Sequence, residues 1–147
     1  MNNNRNISIG IILVLVVLLS ACSVVSMPLS GSDKDAVLAY SEAKTDNLMQ
    51  SMNSNDLAAF SRDLNDKMKG AFTADNFASM QTKVGGKIGK YVSRQVSSVL
   101  QTGDNVTVIY AARFENEDAV IMRVSFETAE PHRVSGLYFD SAKLRAQ

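Results

Sequence analysis

The 147-residue sequence has little of several residues that chemistry often needs: one cysteine, one histidine, two prolines and no tryptophan. A single cysteine cannot form a disulfide within the chain or a zinc–thiolate site. The one histidine, His132, follows Pro131 among turn-forming residues, and no spacing of His, Cys or carboxylates predicts converging metal ligands. We therefore predict no metal and no cofactor. We interpret His132 as a solvated turn residue and not as a catalytic base.

No excess of one charge is present, because 15 Lys and Arg residues are balanced by 15 Asp and Glu residues. A nucleic-acid-binding domain usually carries a clear basic excess, so the composition predicts no nucleic-acid partner. The sequence lacks the G-x-S-x-G nucleophile elbow. Its glycine-rich stretch at 85–90 lacks the P-loop pattern and follows a predicted helix instead of preceding one. No catalytic residue is predicted from these motifs.

One hydrophobic run is present near the N-terminus, over Ile7–Leu19, after a short region whose only charge is Arg5. As a helix this run would extend about 20 Å, which is less than the roughly 30 Å hydrocarbon core of a bilayer. The layout is typical of an export signal. The alternative is an uncleaved signal anchor, since apolar residues continue through Val24 and Val25.

The run ends in Leu19-Ser20-Ala21-Cys22, which resembles the lipobox of bacterial-type lipoproteins. The resemblance implies that the Cys22 thiol is acylated and that the chain is cut in front of it. Residues 1–21 are then a signal peptide, residues 22–32 a flexible tether and residues 33–147 one domain. This predicts a protein held by the lipid on Cys22 at the outer side of a cell membrane, either the cytoplasmic or the outer membrane.

Apolar residues at helical spacing predict three helices in the first half of the domain. The first runs from a cap at Ser32 to about Met52, and the third opens at Thr73 and ends at Gly85-Gly86. Between them, a second helix carries a clear helical face that is apolar except for one serine. That face consists of Leu57, Phe60, Ser61, Leu64 and Met68.

From Lys87 onward the pattern predicts β-strands separated by turn clusters. The connections are short and permit only antiparallel pairing, so the predicted fold class is α+β. Three N-terminal helices cover one face of a four-stranded antiparallel sheet. The predicted strands are Ile88–Leu100, Val106–Glu115, Ala119–Thr128 and Arg133–Asp140.

The middle hairpin can be registered by its polar pattern, with Glu115 opposite Ala119 and Tyr110 opposite Val124. In this register the apolar residues share the inner face and the charged residues share the outer one. The first strand is left open, because Val92, Val96 and Leu100 compete with Tyr91 and Val99 for the inner face. The inner face of the other strands is predicted to carry Tyr110, Met122, Val124, Phe126, Leu137 and Phe139.

Three stretches together resemble the nuclear transport factor 2-like cone superfamily: the helix with Phe60 and Met68, the helix ending at Gly85-Gly86, and Arg133–Asp140 with the sequence RVSGLYFD. More narrowly, they are similar to an uncharacterised family within it that is also found in front of some α/β-hydrolase domains. The resemblance covers about Asp33–Asp140. It implies a curved sheet wrapped around helices, a conical cavity and frequent homodimers through the sheet. The implied roles range from steroid isomerisation and dehydration to simple binding.

Two functions stay open at this point. The first is a non-catalytic, lipid-anchored module that binds a small apolar molecule or a protein partner. Its small-molecule site would be the inner face with Tyr110, Met122, Val124, Phe126 and Leu137, unless helix side chains fill the cone. The second is a cone-type enzyme, such as an isomerase or dehydratase, which needs a carboxylate near Tyr110 inside the cone. The inner face of the predicted hairpin offers none, so we favour the first.

Overall fold

The structure, a computed structural model, describes residues 25–146. The predicted signal peptide of residues 1–21, the lipidation site Cys22 and the start of the predicted tether lie outside the described residues. Within residues 25–146, no helix is both long enough and apolar enough to cross a bilayer.

The described residues form a layer of helices against one antiparallel sheet, so the predicted α+β class is confirmed. The sheet has five strands in the order β1-β2-β3-β4-β5, where four strands were predicted. Its strands are β1 Met27–Pro28, β2 Tyr91–Thr102, β3 Asn105–Phe114, β4 Glu117–Glu127 and β5 Val134–Asp140. The helices are α1 Gly31–Ser54, α2 Leu57–Ser61, α3 Asp66–Ala71, α4 Ala74–Met80, α5 Gly86–Ile88 and α6 Ala142–Arg145, with a π-helical segment over Gln81–Gly85.

The additional strand, β1, lies in the segment predicted to be a tether. Met27 pairs with Gln101 on β2, and the backbone N–H of Leu29 donates to the carbonyl of Val99 at 2.8 Å. A two-residue strand is too short to show alternation in the sequence. The end of the predicted tether, residues 22–32, is therefore part of the domain, and the first helix begins at Gly31.

The second predicted helix is interrupted and forms α2 and α3. Leu64 makes a parallel bridge to Val134, the N–H of Asn65 donates to the carbonyl of Val134 at 2.9 Å, and the N–H of Val134 donates to Asp63 at 2.8 Å. The Asn65 side chain then caps α3 by accepting from the Met68 N–H at 2.9 Å. Pairing with β5 thus replaces the hydrogen bonds of a continuous helix. The apolar spacing of the sequence cannot predict this, because the pairing is long-range.

The third predicted helix does begin after Thr73, whose side chain caps its first turn. It does not end at Gly85-Gly86, since both glycines have right-handed helical torsions and the chain stays helical to Ile88. Gly89 ends it with a φ of 81°. A Cβ atom at Gly89 would lie 2.9 Å from the Cβ of Glu115, so this position also requires the smallest residue.

The β3–β4 hairpin has the predicted faces but not the predicted register. Tyr110 lies opposite Met122, and Val108 lies opposite Val124, two residues away from the predicted pairs. The turn is tighter than predicted, and the register shifts between Ala112 and Phe114. An even shift leaves every side chain on its own face, because side chains alternate with a period of two.

Strand β2 contains two bulges, between Tyr91 and Ser93 and between Val96 and Ser98. Each bulge inserts one residue and reverses the alternation of the strand. The inner face therefore takes residues from both competing sets, namely Tyr91, Val96 and Val99. It also takes Arg94, which lies opposite the buried Ala112.

Candidate functional site

Most residues of the predicted ligand-binding face lie in the core. Tyr110, Met122, Val124 and Phe126 have no exposed surface and belong to one cluster with Phe60 and Leu64, which are equally buried. None of these six lines any of four clefts found among residues 25–146. Leu137 is half-buried and borders a small cleft with Tyr138.

A carboxylate nevertheless reaches Tyr110, and it comes from helix α1. The Tyr110 hydroxyl donates to Oε1 of Glu42 at 2.8 Å and lies 3.2 Å from the hydroxyl of Thr45. The inner face of the hairpin itself offers no carboxylate, as predicted, and Glu42 comes from the helix layer, where the strand pattern gives no information. The signal that was available is the i, i+3 spacing of Glu42 and Thr45, which places both on one side of α1.

Arg94 joins the same group of side chains, which we call the Arg94 cluster: Glu42, Thr45, Asp46, Tyr91, Arg94 and Tyr110. The guanidinium donates to Glu42 at 2.9 Å, to Asp46, and to the Tyr91 hydroxyl at 3.1 Å. It also lies over the Tyr110 ring, 5.2 Å from the ring centroid. The Arg94 side chain is 7% exposed, whereas those of Glu42 and Asp46 are 41% and 53% exposed. The cation is therefore inside, and its two acids lie at the rim.

The electrostatics of the Arg94 cluster favour a fixed structure over proton transfer. Burial raises the pKa of Tyr110, and the nearby Glu42 carboxylate adds to the rise. Burial alone would lower the pKa of Arg94, but Asp46 and the other partners raise it above its ordinary value. Tyr110 therefore stays a hydrogen-bond donor and Arg94 stays a cation at neutral pH.

This cluster predicts a stability loss in alkali that depends on Tyr110. The pKa of an unfolded tyrosine is about 10, and that of folded Tyr110 is higher, so above pH 10 the unfolded chain loses this proton first. The free energy of unfolding should fall by up to about 1.4 kcal/mol per pH unit through this group. Denaturant titrations from pH 7 to 11 should show a steeper decline for the natural protein than for Tyr110→Phe. Parallel curves would contradict the buried hydroxyl, and the exposed Tyr138→Phe serves as control.

The largest of these four clefts, about 610 Å³, lies between the end of α1, the π-helical segment and the start of β2. We call it the Gln81 cleft. Met52 and Phe114 provide part of its apolar surface, and the turn between β3 and β4 closes one side. Most of its remaining lining is polar. The polar side chains are Asn53, Asn55, Gln81, Thr82, Lys90, Glu115 and Asn116.

Three unusual backbone conformations meet around the Gln81 cleft. Asn55, at the C-terminal end of α1, is left-handed with a φ of 56°, and Gly89 has a φ of 81°. Between them in sequence lies the π-helical segment, where the Gln81 side chain donates to the carbonyl of Met52. π-helical turns are rare and are found disproportionately at functional sites, whereas a left-handed asparagine is also a common way to end a helix.

The edge of the sheet is closed where β2 enters this cleft. The Asn53 side chain donates to the carbonyl of Tyr91 and accepts from its N–H, both at 2.9 Å. A single amide side chain thus takes the place of a neighbouring strand. The backbone of Tyr91 is therefore not available to an additional strand.

A second cleft, about 400 Å³ and here called the His132 cleft, lies beside β1 and is lined by Leu29, Val37, Tyr40 and His132 among others. His132 is not the solvated residue that was predicted: its side chain is 22% exposed and stacks on Tyr40 at 3.9 Å between ring centroids. Lys44 holds the turn by donating to the carbonyl of His132 at 2.8 Å. Residues 25–146 contain no group of three or more His, Cys, Asp or Glu side chains that could hold a metal ion.

Comparison with known proteins gives one match. Residues 45–130, more than half of the chain, match the profile of a family described as a protein of unknown function, DUF3887. The matched segment begins within α1 and ends after β4, so it includes most of the Arg94 cluster and the Gln81 cleft. No curated protein and no solved structure matches the chain.

Proposed function

We propose, from the premise that this chain belongs to the DUF3887 family of proteins of unknown function, that it is a lipid-anchored, non-catalytic binding module. Its binding site in this proposal is the Gln81 cleft. The observation that carries the proposal is the meeting of the π-helical segment, left-handed Asn55 and Gly89 around the largest cleft. Its volume lies within the roughly 300–1,000 Å³ that is usual for small-molecule sites.

Binding at this cleft can be mapped by amide NMR with a mixed set of soluble compounds. We expect shifts concentrated at Gln81–Gly85, Gly89 and Asn116 for those compounds that bind. Shifts confined to the core residues around Met122 would instead support the small apolar ligand inside the cone. Such a ligand would have to displace packed side chains, because Tyr110 and Met122 have no exposed surface. An absence of saturable shifts would contradict both.

The anchor is the lipid on Cys22, supported by the L-S-A-C sequence after the apolar run. Cys22→Ala should abolish acylation and cleavage at this site, so the protein should accumulate with its leader attached. Mass spectrometry of the natural protein should find a chain that begins at an acylated Cys22. A mature chain that begins at Met1 with an unmodified thiol would refute the lipid anchor. Two or more acyl chains are needed for stable anchoring, which the measured mass would also reveal.

The relation to the nuclear transport factor 2-like cone superfamily is part of this proposal and is supported by the order of helices followed by an antiparallel meander. A homodimer through the sheet, also implied by that resemblance, would use the face that no helix covers. Val92, Ile121 and Tyr138 are exposed there by 54%, 43% and 53%. Sedimentation of the protein and of an Ile121→Lys variant would test it, since a sheet-mediated dimer should dissociate in the variant.

One observation favours a second function, the cone-type enzyme: Glu42 accepts a hydrogen bond from Tyr110 at 2.8 Å. A carboxylate beside a tyrosine is what isomerase chemistry of the ketosteroid type requires. Against it, Glu42 is paired with Arg94, and neither Glu42 nor Tyr110 lines the Gln81 cleft, the His132 cleft or either of two other clefts. A substrate could thus reach this pair only if the helix layer opened. A Glu42→Gln variant removes the carboxylate from the pair, so full binding at the Gln81 cleft in this variant would show that the binding function does not depend on the Glu42–Tyr110 pair.

A further inference from the structure

We propose that the Gln81 cleft binds an uncharged oligosaccharide that carries both hydroxyl and acetamido groups. This inference rests on the proposed function, because it names the ligand of the same cleft. Three observations support it: the position of the cleft, the chemistry of its side chains and the closed edge of the sheet beside it.

The cleft and the point where the chain enters the domain lie at opposite ends of β2. Tyr91 lines the cleft, whereas Gln101 pairs with Met27 of β1. Ten residues of strand separate them, roughly 30 Å at the usual rise per residue. If the N-terminal lipid holds the β1 end at the bilayer, the cleft opens away from it. Its ligand then arrives from the aqueous side and is not a membrane lipid.

Amide side chains dominate the polar lining of the cleft. Those of Asn55 and Asn116 each offer both a donor and an acceptor, as sugar hydroxyls and acetamido groups also do. The Gln81 amide nitrogen already donates to the Met52 carbonyl and to Oδ1 of Asn55, at 3.4 Å, so Gln81 offers its oxygen as an acceptor. Formal charge on the lining is balanced, with one cation at Lys90 and one anion at Glu115. One oxygen of Glu115 already accepts from the Lys90 backbone N–H at 3.0 Å. This lining favours an uncharged, hydrogen-bonding ligand over an anion or a cation.

An extended peptide suits the same cleft poorly. Peptides that add to a sheet need a free strand edge, but Asn53 occupies both backbone groups of Tyr91, and a bulge follows at Ser93. An amphipathic helix needs a continuous apolar groove, whereas here seven polar side chains share the lining with Met52, Tyr91 and Phe114. An acidic motif needs a cluster of arginines, and no arginine lines this cleft. Of the ligand classes compared, an oligosaccharide carrying hydroxyl and acetamido groups fits the geometry of the cleft best.

The test is calorimetric titration of the full-length protein, as the cell produces it, with the tetramer of N-acetylglucosamine. Comparison probes are the glucose tetramer, which lacks acetamido groups, and tetraglycine. The variant is Asn55→Gly combined with Asn116→Ala. Glycine accepts the left-handed torsion of residue 55, so the end of α1 is preserved. The matched control is Gln50→Ala, which removes an exposed amide of α1 outside the cleft.

We expect the acetylated tetramer to bind, the double variant to weaken it about tenfold or more, and the control to match the natural protein. The glucose tetramer should bind more weakly because it lacks the acetamido groups. If tetraglycine binds, neither sugar binds, and the double variant weakens tetraglycine binding, the oligosaccharide proposal is overturned. The cleft would still be a binding site in that case. Binding of the sugar with equal affinity by all variants would place it elsewhere and overturn this inference. No binding of any probe, together with no NMR shifts at the cleft, would overturn both.

Discussion

Met122→Asp is expected to lower the free energy of unfolding by about 3–5 kcal/mol, enough to unfold many domains of this size. Met122 has no exposed surface and lies in the middle of the sheet, between Tyr110 on β3 and Phe139 on β5. Arg113 and Arg123 belong to the opposite face, and Arg94 on the inner face is already paired with Glu42 and Asp46. A carboxylate at position 122 would therefore be buried without a partner, or would have to take up a proton to remain there.

The matched control is Arg123→Ser, one residue along the same strand. Arg123 is exposed, and its main contact is the ring of Tyr138, 5.6 Å from the guanidinium carbon to the ring centroid. We expect this change to cost no more than about 1 kcal/mol. Urea titrations of both variants give the comparison, with similar m values as the sign of two-state unfolding. Equal losses of stability would mean that the two faces of β4 are assigned wrongly.

The hairpin shows how far the sequence alone can determine a sheet. Alternation identified the inner residues of β3 and β4 correctly, because burial of the wrong face would place charges in the core. It could not determine the register to better than two residues. A shift from Tyr110 opposite Val124 to Tyr110 opposite Met122 keeps every residue on its face. The turn decides between them, and its tight form at Glu115 and Asn116 has no strong sequence signature.

Strand β2 and the second helix were less predictable for a different reason. Two bulges reverse the alternation of β2, so no single set of apolar residues marks its inner face. Arg94 was consequently not identified as an inner residue, although it lies inside against α1. Likewise, α2 and α3 separate because Leu64 and Asn65 pair with Val134, some seventy residues away. Long-range pairing of this kind overrides the local helical pattern.

The Gln81 cleft was not anticipated at all, since its residues had satisfactory local explanations. The first predicted helix ended at about Met52, just before Asn53 and Asn55, and the third ended at the glycines at 85 and 86. Both interpretations concern backbone geometry alone. What joins the segments is the tertiary contact of the Gln81 side chain with the end of α1 and of Asn53 with Tyr91. A sequence without its fold contains no sign that these ends meet.

The Arg94 cluster gives the second large effect, and the size of the stability loss depends on which partner is removed. In Glu42→Gln combined with Asp46→Asn, the guanidinium stays 7% exposed and loses both counter-charges. In Arg94→Met, the two carboxylates remain, but they are 41% and 53% exposed and water can solvate them. Removing the partners of a buried charge is usually the costlier change. We expect the double variant to lose about 3 kcal/mol and Arg94→Met about 1 kcal/mol.

Two features reduce the difference in stability loss between the double variant and Arg94→Met without reversing it. The new amides of the double variant can still accept hydrogen bonds from the guanidinium, which limits its loss. In Arg94→Met, Glu42 and Asp46 are left as like charges four residues apart on α1, which adds a few tenths of a kcal/mol. Methionine also keeps an apolar contact with the Tyr110 ring in place of the guanidinium.

Arg113→Met is the control for losing an arginine that is paired but exposed. Arg113 and its partner Asp118 are 63% and 81% exposed, so this ion pair should contribute less than about 0.5 kcal/mol. Unfolding free energies from denaturant titration at neutral pH are compared for the three variants and the natural protein. The expected order of loss is the double variant, then Arg94→Met, then Arg113→Met. A larger loss for Arg94→Met than for the double variant would mean that Arg94 acts through its packing and not through its charge. In that case, pairing with a buried cation would not explain why α1 carries Glu42 and Asp46 at these positions.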